Sequence, residues 1–331
     1  MAPQSYYLGA KIRASDFNLF ANDINDIVGI GANDSGYGQN HLVVTNATIE
    51  SSVTTSLWDE LLTSMFYAAR HQGTALNSPT STSDASWPLE WVIQILPIIT
   101  EDIENIRGNK LNSDVAYMTV TPNQISSSET YIDPNSGTPN WTSANQVYYE
   151  GKIAFADADN RRHFFNTGGE IRFDAVLSGV DVSHAQSVDW QTLLSAIATV
   201  KLSHSLTESS ASVGTPGVGF NNLTTTYQLI YTKGGTGDYS GNQLNIYAKL
   251  SGTADIEIKM SFDDAHAADT GSWTNDGGGT WTGTDYVAGT LTITLDELIP
   301  SDTPDGVNLS SPTYLIFLNF SVDFCVVLLY Y

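Results

Sequence analysis

The sequence is poor in cysteine and in basic residues, and both shortages exclude classes of protein. Among 331 residues there is one cysteine, Cys325, so the chain cannot form an intrachain disulfide. The 13 Lys and Arg residues are outnumbered by 36 Asp and Glu residues, which gives a formal net charge of -23. Because nucleic-acid binding depends on clustered Lys and Arg side chains, we expect no nucleic-acid partner.

Long apolar segments are also scarce. Residues 1–13 lack the apolar core of a signal peptide. Residues 314–331 are the one candidate for a membrane span, but from Leu318 to Phe324 apolar and polar residues alternate, which is typical of a strand. Asp323 near the centre of this stretch would cost about 2.5 to 3.5 kcal/mol in a bilayer. We therefore expect no membrane insertion.

The common catalytic motifs are missing as well. The sequence contains no GxSxG, HExxH, CxxC or P-loop pattern, and its six histidines show no spacing typical of metal ligands. Asp157 and Asp159 resemble the start of a calcium loop, but Arg161 and Arg162 occupy positions where that loop needs a ligand and a glycine. We predict no catalytic residue, no metal and no cofactor.

Residues 1–112 carry a helical pattern. Ser15 is placed to cap a helix with Phe17, Phe20 and Ile24 on one face, and Gly29 is placed to end it. A second helix is predicted over residues 56–72, and a third over residues 89–106, bent or broken at Pro97. The apolar faces favour docking into a larger assembly, and the alternative is that they form the domain's own core.

The two-residue period of strands dominates the rest of the chain. Residues 163–173 are predicted as a strand that turns through Gly168 and Gly169, and five later segments alternate in the same way. The predicted strands are 148–155, 164–173, 227–232, 243–250, 255–262, 290–296 and 314–331. We predict an α+β, mainly β fold, with a helical domain at 1–112, an irregular linker at 113–145 and an antiparallel β-sandwich at 146–331.

Two tryptophans mark a candidate contact site in the predicted sandwich. Long loops are predicted over residues 205–219 and 263–285, and Trp273 and Trp281 flank a DGGG sequence inside the second of them. Large amphipathic rings on a loop can pack in a neighbouring subunit or stack on a sugar. Phe17, Phe20 and Ile24 complete the set of candidate contact residues.

Several stretches together resemble a known family. They are ASDFN, IND and GYGQ near the N-terminus, SLWDELLTSMFYAARHQG at 56–73, FFNTGGEIRF at 164–173, DWQTLLSAIATVKL at 189–202, TTTYQLIYTK at 224–233 and YAKL at 247–250. As a set they are similar to virion structural proteins of tailed bacteriophages, particularly phages of cyanobacteria and other aquatic bacteria. Residues 77–145 carry no part of this resemblance.

The resemblance implies a tail, neck or baseplate component, often fibre-like, that contacts other virion proteins. It also implies a homotrimer, and the apolar helical faces favour attachment to the particle through the helical domain, with the sandwich projecting outward. Two alternatives stay open: a receptor-binding protein that holds host surface glycan, and a glycan-degrading tail enzyme that acts through carboxylates. The apolar run from Cys325 to Tyr331 is predicted to be a central strand or a contact with another copy.

Overall fold

A computed structural model describes residues 12–48, 52–81, 89–182, 184–266, 270–273, 279–282, 286–301 and 306–320, with the backbone alone over 89–93, 270–273, 279–282 and 316–320. The helices are α1 Ala14–Val28, α2 Thr55–Gln72, α3 Leu89–Gly108, α4 Ala158–Asn166 and α5 Ala185–Ile197. The strands are β1 Met118–Tyr131, β2 Val147–Ala154, β3 Glu170–Ser178, β4 Val200–Leu202, β5 Leu206–Ser209, β6 Thr215–Val218, β7 Gln228–Gly234, β8 Gln243–Ser251, β9 Asp255–Asp263, β10 Thr270–Trp273, β11 Gly279–Thr282, β12 Gly289–Pro300 and β13 Thr313–Phe320. The run from Cys325 to Tyr331 lies outside the described residues.

The chain divides into two compact units, each made of three segments. The helical unit contains residues 1–120, 157–169 and 298–311, and the β-unit contains residues 121–156, 170–297 and 312–331. The predicted α+β class, with a helical N-terminal part and a larger antiparallel β-part, is confirmed. Within the described part of the chain, no helix has both the length and the apolar composition needed to cross a membrane.

In the helical unit, α1, α2 and α3 pack around one apolar core. Phe17 and Ile24 are fully buried, and the Phe17 ring meets Trp58 edge-on at 5.2 Å between ring centroids. Gly29 follows the last residue of α1, and Gly73 ends α2 in the left-handed conformation with φ of 70°, as their positions predict. The N-cap of α1 is Arg13, so Ser15 lies inside the helix rather than capping it. Helix α3 continues through Pro97, which the sequence predicted would bend or break it.

The segment at 163–173 is a helix followed by a strand, so the predicted continuous strand is wrong. Asp157 caps α4 by accepting a hydrogen bond from the Asn160 backbone N–H at 2.7 Å, which starts the helix within the DADNRR sequence. The adjacent rings of Phe164 and Phe165 are both buried, which a helix permits and a strand with one face in water does not. Gly168 then turns the chain with φ of 79° before β3 begins.

Two buried histidines bond to backbone carbonyls in the helical unit. The His71 Nε2 atom lies 2.9 Å from the carbonyl oxygen of Thr167, and burial lowers the pKa of His71 from 6.5 to about 4. The His163 ring lies where a side chain at residue 38 would project, and Gly38 leaves that space open. The histidines therefore tie α4 and the residues after it to the N-terminal helices.

Eleven strands form one antiparallel sheet with the order β1-β12-β3-β4-β5-β6-β7-β8-β9-β2-β13. The sheet folds over on itself, because Phe173 on β3 and Val200 on β4 line the same small cavity as Ile246 on β8 and Met260 on β9. Its two ends also approach each other, since the Tyr314 hydroxyl on β13 donates to Glu297 on β12 at 2.9 Å. Burial raises the pKa of that tyrosine, and the Glu297 charge raises it further.

Three sequence predictions change in the β-unit. The predicted linker at 113–145 contains strand β1, which lies at one end of the sheet order. Hydroxyl groups join β1 to β12, as between Ser128 and Thr292 at 2.7 Å, so this strand carries few of the apolar residues that mark a strand in sequence. The loop predicted at 205–219 contains β5 and β6, and the loop at 263–285 contains the two-stranded sheet of β10 and β11.

An aromatic cluster fills the core of the β-unit. Trp141 lies 4.6 Å from Trp190 on α5 and 5.8 Å from Phe262 on β9, measured between ring centroids. All three side chains are fully buried. Burying large rings supplies a major part of the stability of such a core, because each removes about 150 to 250 Å² from water.

Candidate functional site

The outward side of strands β2, β8 and β9 carries an ordered set of tyrosines and charged residues. Inward positions on β8 and β9 are apolar and buried, so the positions between them point away from the core. Register places Tyr247 opposite Lys259, and Lys259 opposite Glu150. We call this surface the tyrosine face; it comprises Tyr148, Glu150, Lys152, Tyr227, Tyr247, Lys249, Asp255, Glu257, Lys259 and Asp263.

One half of the tyrosine face is organised by Lys249. Its Nζ atom lies 4.5 Å from the centroid of the Tyr227 ring and 2.7 Å from Oε2 of Glu257. Glu257 also accepts a hydrogen bond from the Ser251 hydroxyl at 2.6 Å. The hydrogen bond from Lys249, followed by that from Ser251, lowers the pKa of the Glu257 carboxyl. Burial and two nearby carboxylates, those of Glu150 and Glu257, raise the pKa of Tyr227 to about 12.

In the other half, Lys259 also lies over a tyrosine ring. Its Nζ atom lies 4.4 Å from the centroid of the Tyr148 ring. Burial raises the pKa values of Tyr148 and Tyr247, and the negative charge of Asp263 raises both further. Asp263 in turn accepts hydrogen bonds from Asn245 at 2.8 Å and from the Ser261 hydroxyl. The tyrosines therefore stay protonated at neutral pH and present neutral hydroxyl groups.

The charge of the tyrosine face differs from that of the whole chain. It holds three lysines and four carboxylates, whereas the chain has 13 basic and 36 acidic residues. Lys152 pairs with Asp255 at 2.5 Å, and Lys249 pairs with Glu257. The face is thus nearly neutral on a strongly acidic protein, and its chemistry suits contact with another surface.

The predicted contact residues lie elsewhere. Phe17, Phe20 and Ile24 are at most 4% exposed and pack in the core of the helical unit, which is the alternative the sequence left open. Trp273 and Trp281 lie on paired strands, with Trp273 opposite Gly279 and Trp281 opposite Gly271. Their side chains lie outside the described part of the structure, so their role as contacts stays a prediction.

The residues weighed for chemistry have structural contacts. Asp157 caps α4, and Arg162 pairs with Asp159 at 2.5 Å. Gly235 lies between β7 and β8, and its N–H donates to the Asn242 carbonyl at 2.8 Å. Over the described ranges, no three His, Cys, Asp or Glu side chains are grouped so that they could hold a metal ion.

Sequence reasoning missed the tyrosine face, although part of its signal was present. Alternation in β8 and β9 shows that Tyr247, Lys249 and Lys259 point away from the core. The contribution of Tyr148 depends on the pairing of β2 with β9, which are about a hundred residues apart in sequence. Such a pairing is set by the fold and is not visible in either strand alone.

Comparisons with known proteins add no relative. No protein-family model, no curated protein and no solved structure matches the chain.

Proposed function

We propose that the protein is a non-enzymatic structural component of a tailed-bacteriophage virion, a tail, neck or baseplate appendage that acts as a homo-oligomer. The family resemblance in the sequence motivates the particle and the threefold copy number. The tyrosine face is the observation that supports a role in assembly, because it is a nearly neutral surface on a chain with a net charge of -23.

Electrostatics explains why such a face would be used for contact. Copies that carry a large net charge of the same sign repel one another, so association favours the surface on which that charge is balanced. Tyrosine is enriched in protein interfaces, where its ring is buried and its hydroxyl finds a partner. Leu229, which is 45% exposed and lies opposite Tyr247, adds apolar area to the same side of the sheet.

Replacing Tyr247 tests this assignment. We expect Tyr247→Ser to lower the copy number of the purified full chain, measured by light scattering, and to reduce its incorporation into particles. The matched control is Val176→Ser, which changes a 55% exposed residue on β3. An oligomer that survives Tyr247→Ser, or that is disrupted equally by the control, would show that the face is not the contact.

Glycan binding is the second candidate, because tyrosine rings and charged groups on a flat sheet also suit sugars. Two of the three rings already have a lysine ammonium over them, those of Tyr148 and Tyr227, which leaves Tyr247 as the ring for stacking. A host glycan that binds the wild type and is lost in Tyr247→Ser, with the copy number unchanged, would favour this candidate over the structural one.

A further inference from the structure

Arg70, in the last turn of α2, has a guanidinium group surrounded by aromatic rings. Its Cζ atom lies 4.7 Å from the centroid of the Tyr67 ring, 5.1 Å from that of Tyr117 and 5.4 Å from that of Phe66. Cation–π attraction to three rings restricts the orientation of this planar group. The guanidinium therefore has a fixed position from which its N–H donors can recognise a ligand.

The Arg70 guanidinium makes no hydrogen bond and no ion pair with any residue that the structure describes. In this it differs from Arg107, Arg162 and Arg172, each of which pairs with a carboxylate at a distance of 2.5 to 2.8 Å. Arginine does not lose its proton in proteins, so Arg70 keeps its full positive charge. A charged group with several N–H donors is thus left open to a ligand on a chain with 36 acidic residues.

Arg70 lines a small pocket within the helical unit, which we call the Arg70 pocket. Its other lining residues are Tyr67, His71, Tyr117, Ser301, Gly306 and Val307. Tyr67 and Tyr117 bring two hydroxyl groups, which have no hydrogen-bond partner among the described residues. Val307 is buried and adds an apolar side. The pocket therefore combines one cation, further hydrogen-bond donors and an apolar wall.

The charge of the Arg70 pocket favours a ligand with a single negative charge. His71 is the other basic residue in the lining, and burial lowers its pKa to about 4, so it is neutral at neutral pH. A phosphate dianion is bound by clustered basic groups or by a helix N-terminus, and the described lining supplies neither. The edge of one guanidinium matches the two oxygens of one carboxylate.

We propose that the Arg70 pocket binds a carboxylate group, which accepts hydrogen bonds from the Arg70 guanidinium and the Tyr117 hydroxyl. NMR of the full-length protein with ¹⁵N-labelled arginine tests this, because each arginine gives one Nε–Hε signal and Arg70→Lys identifies the Arg70 signal by removing it. Sodium acetate is expected to move that signal until it saturates, whereas sodium chloride at the same ionic strength is expected to leave it in place. The Arg107 signal is the internal control, because that side chain already pairs with Asp23.

Removing one hydroxyl supplies the second measurement. Tyr117→Phe keeps the ring beside Arg70 and is expected to weaken acetate binding by about tenfold, the low end of what one hydrogen bond to a charged group contributes. The matched control is Tyr148→Phe, which removes the hydroxyl of another ring that has a cation over it, the ammonium of Lys259. This control is expected to bind acetate as the wild type does.

The source of the carboxylate is distinguished by diluting the protein without acetate. An Arg70 signal that moves on dilution would assign the carboxylate to an acidic side chain of a second copy. A signal that stays constant on dilution and responds to acetate would assign the pocket to a free carboxylic acid.

Four outcomes would overturn the proposal. The first is an Arg70 signal that acetate does not move, and the second is equal weakening of acetate binding by Tyr117→Phe and Tyr148→Phe. The third is inorganic phosphate that moves the signal at a lower concentration than acetate does. The fourth is acetate binding that becomes tighter when Asp302→Asn and Asp305→Asn are combined, because the chain would then be supplying its own carboxylate to Arg70.

Discussion

The buried His71 predicts how stability depends on pH. Desolvation lowers its pKa from 6.5 to about 4, while the hydrogen bond with the Thr167 carbonyl opposes part of that shift. The folded protein therefore binds a proton at this ring less readily than the unfolded chain does. Stability from this group is complete above about pH 6.5 and is lost as the pH falls towards 4.

The size of the loss follows from the two pKa values. A histidine at 6.5 in the unfolded chain and at about 4 in the folded one lowers the free energy of unfolding by about 2 kcal/mol at pH 5. The loss reaches about 3 kcal/mol at pH 4. Carboxylates add their own pH dependence in this range, so the histidine contribution must be obtained as a difference between variants.

Urea unfolding between pH 4 and 8, followed by tryptophan fluorescence, makes the comparison. His71→Gln keeps a side-chain N–H for the Thr167 carbonyl but cannot take up a proton, so its stability should fall less below pH 6.5 than that of the wild type. A Trp190→Ala variant is the control, since it should be less stable at every pH while its free energy of unfolding changes with pH as that of the wild type does. If the free energy of unfolding of His71→Gln also falls with pH as steeply as that of the wild type, the assigned pKa shift is wrong.

Three further substitutions test the packing. Gly38→Ala should lower the free energy of unfolding by about 1 to 3 kcal/mol, because φ is 71° and the added Cβ would lie 2.2 Å from the His163 ring. Its control is Gly108→Ala, where nothing lies within 4 Å of the added Cβ, and this variant should be close to neutral in the same urea titration. Trp190→Ala should cost about 3 to 5 kcal/mol by leaving a cavity in the aromatic cluster, and a smaller loss would show that the cluster collapses. Asp102→Ala should cost about 1 to 3 kcal/mol, because this fully buried carboxylate accepts two backbone N–H groups from residues 77 and 78; unchanged thermal unfolding would contradict that role.

The elements that could be predicted from the sequence are those with a strong period and a clear stop. Helix α2 has apolar residues at helical spacing and Gly73 at its end, and strand β9 alternates without interruption. Both were predicted to within one residue at each end. In these elements the local preference and the buried face agree, so tertiary packing had nothing to override.

The elements that failed are those in which local signals conflict. Helix α4 has nine residues, and Phe164 and Phe165 at its C-terminal end suit a strand as well as a helix; the cap at Asp157 decides between them. Strand β1 is rich in serine and threonine, whose hydroxyl groups bond across to β12. The tyrosine face could not be predicted for another reason. Which of its side chains are neighbours depends on the register between strands that lie far apart in sequence.

The order of segments in the helical unit determines how its role can be tested. The predicted domain of residues 1–112 lacks the segments 157–169 and 298–311, which belong to the same unit. Without them, the His163 ring would be missing beside Gly38, and Gln39 would lose its bonds to the backbone of Asn308 at 3.0 and 3.1 Å. A fragment cut at residue 112 would therefore expose the surface that α4 covers. Its copy number could report on that artificial surface, so a role of the helical unit in assembly has to be measured on the full chain.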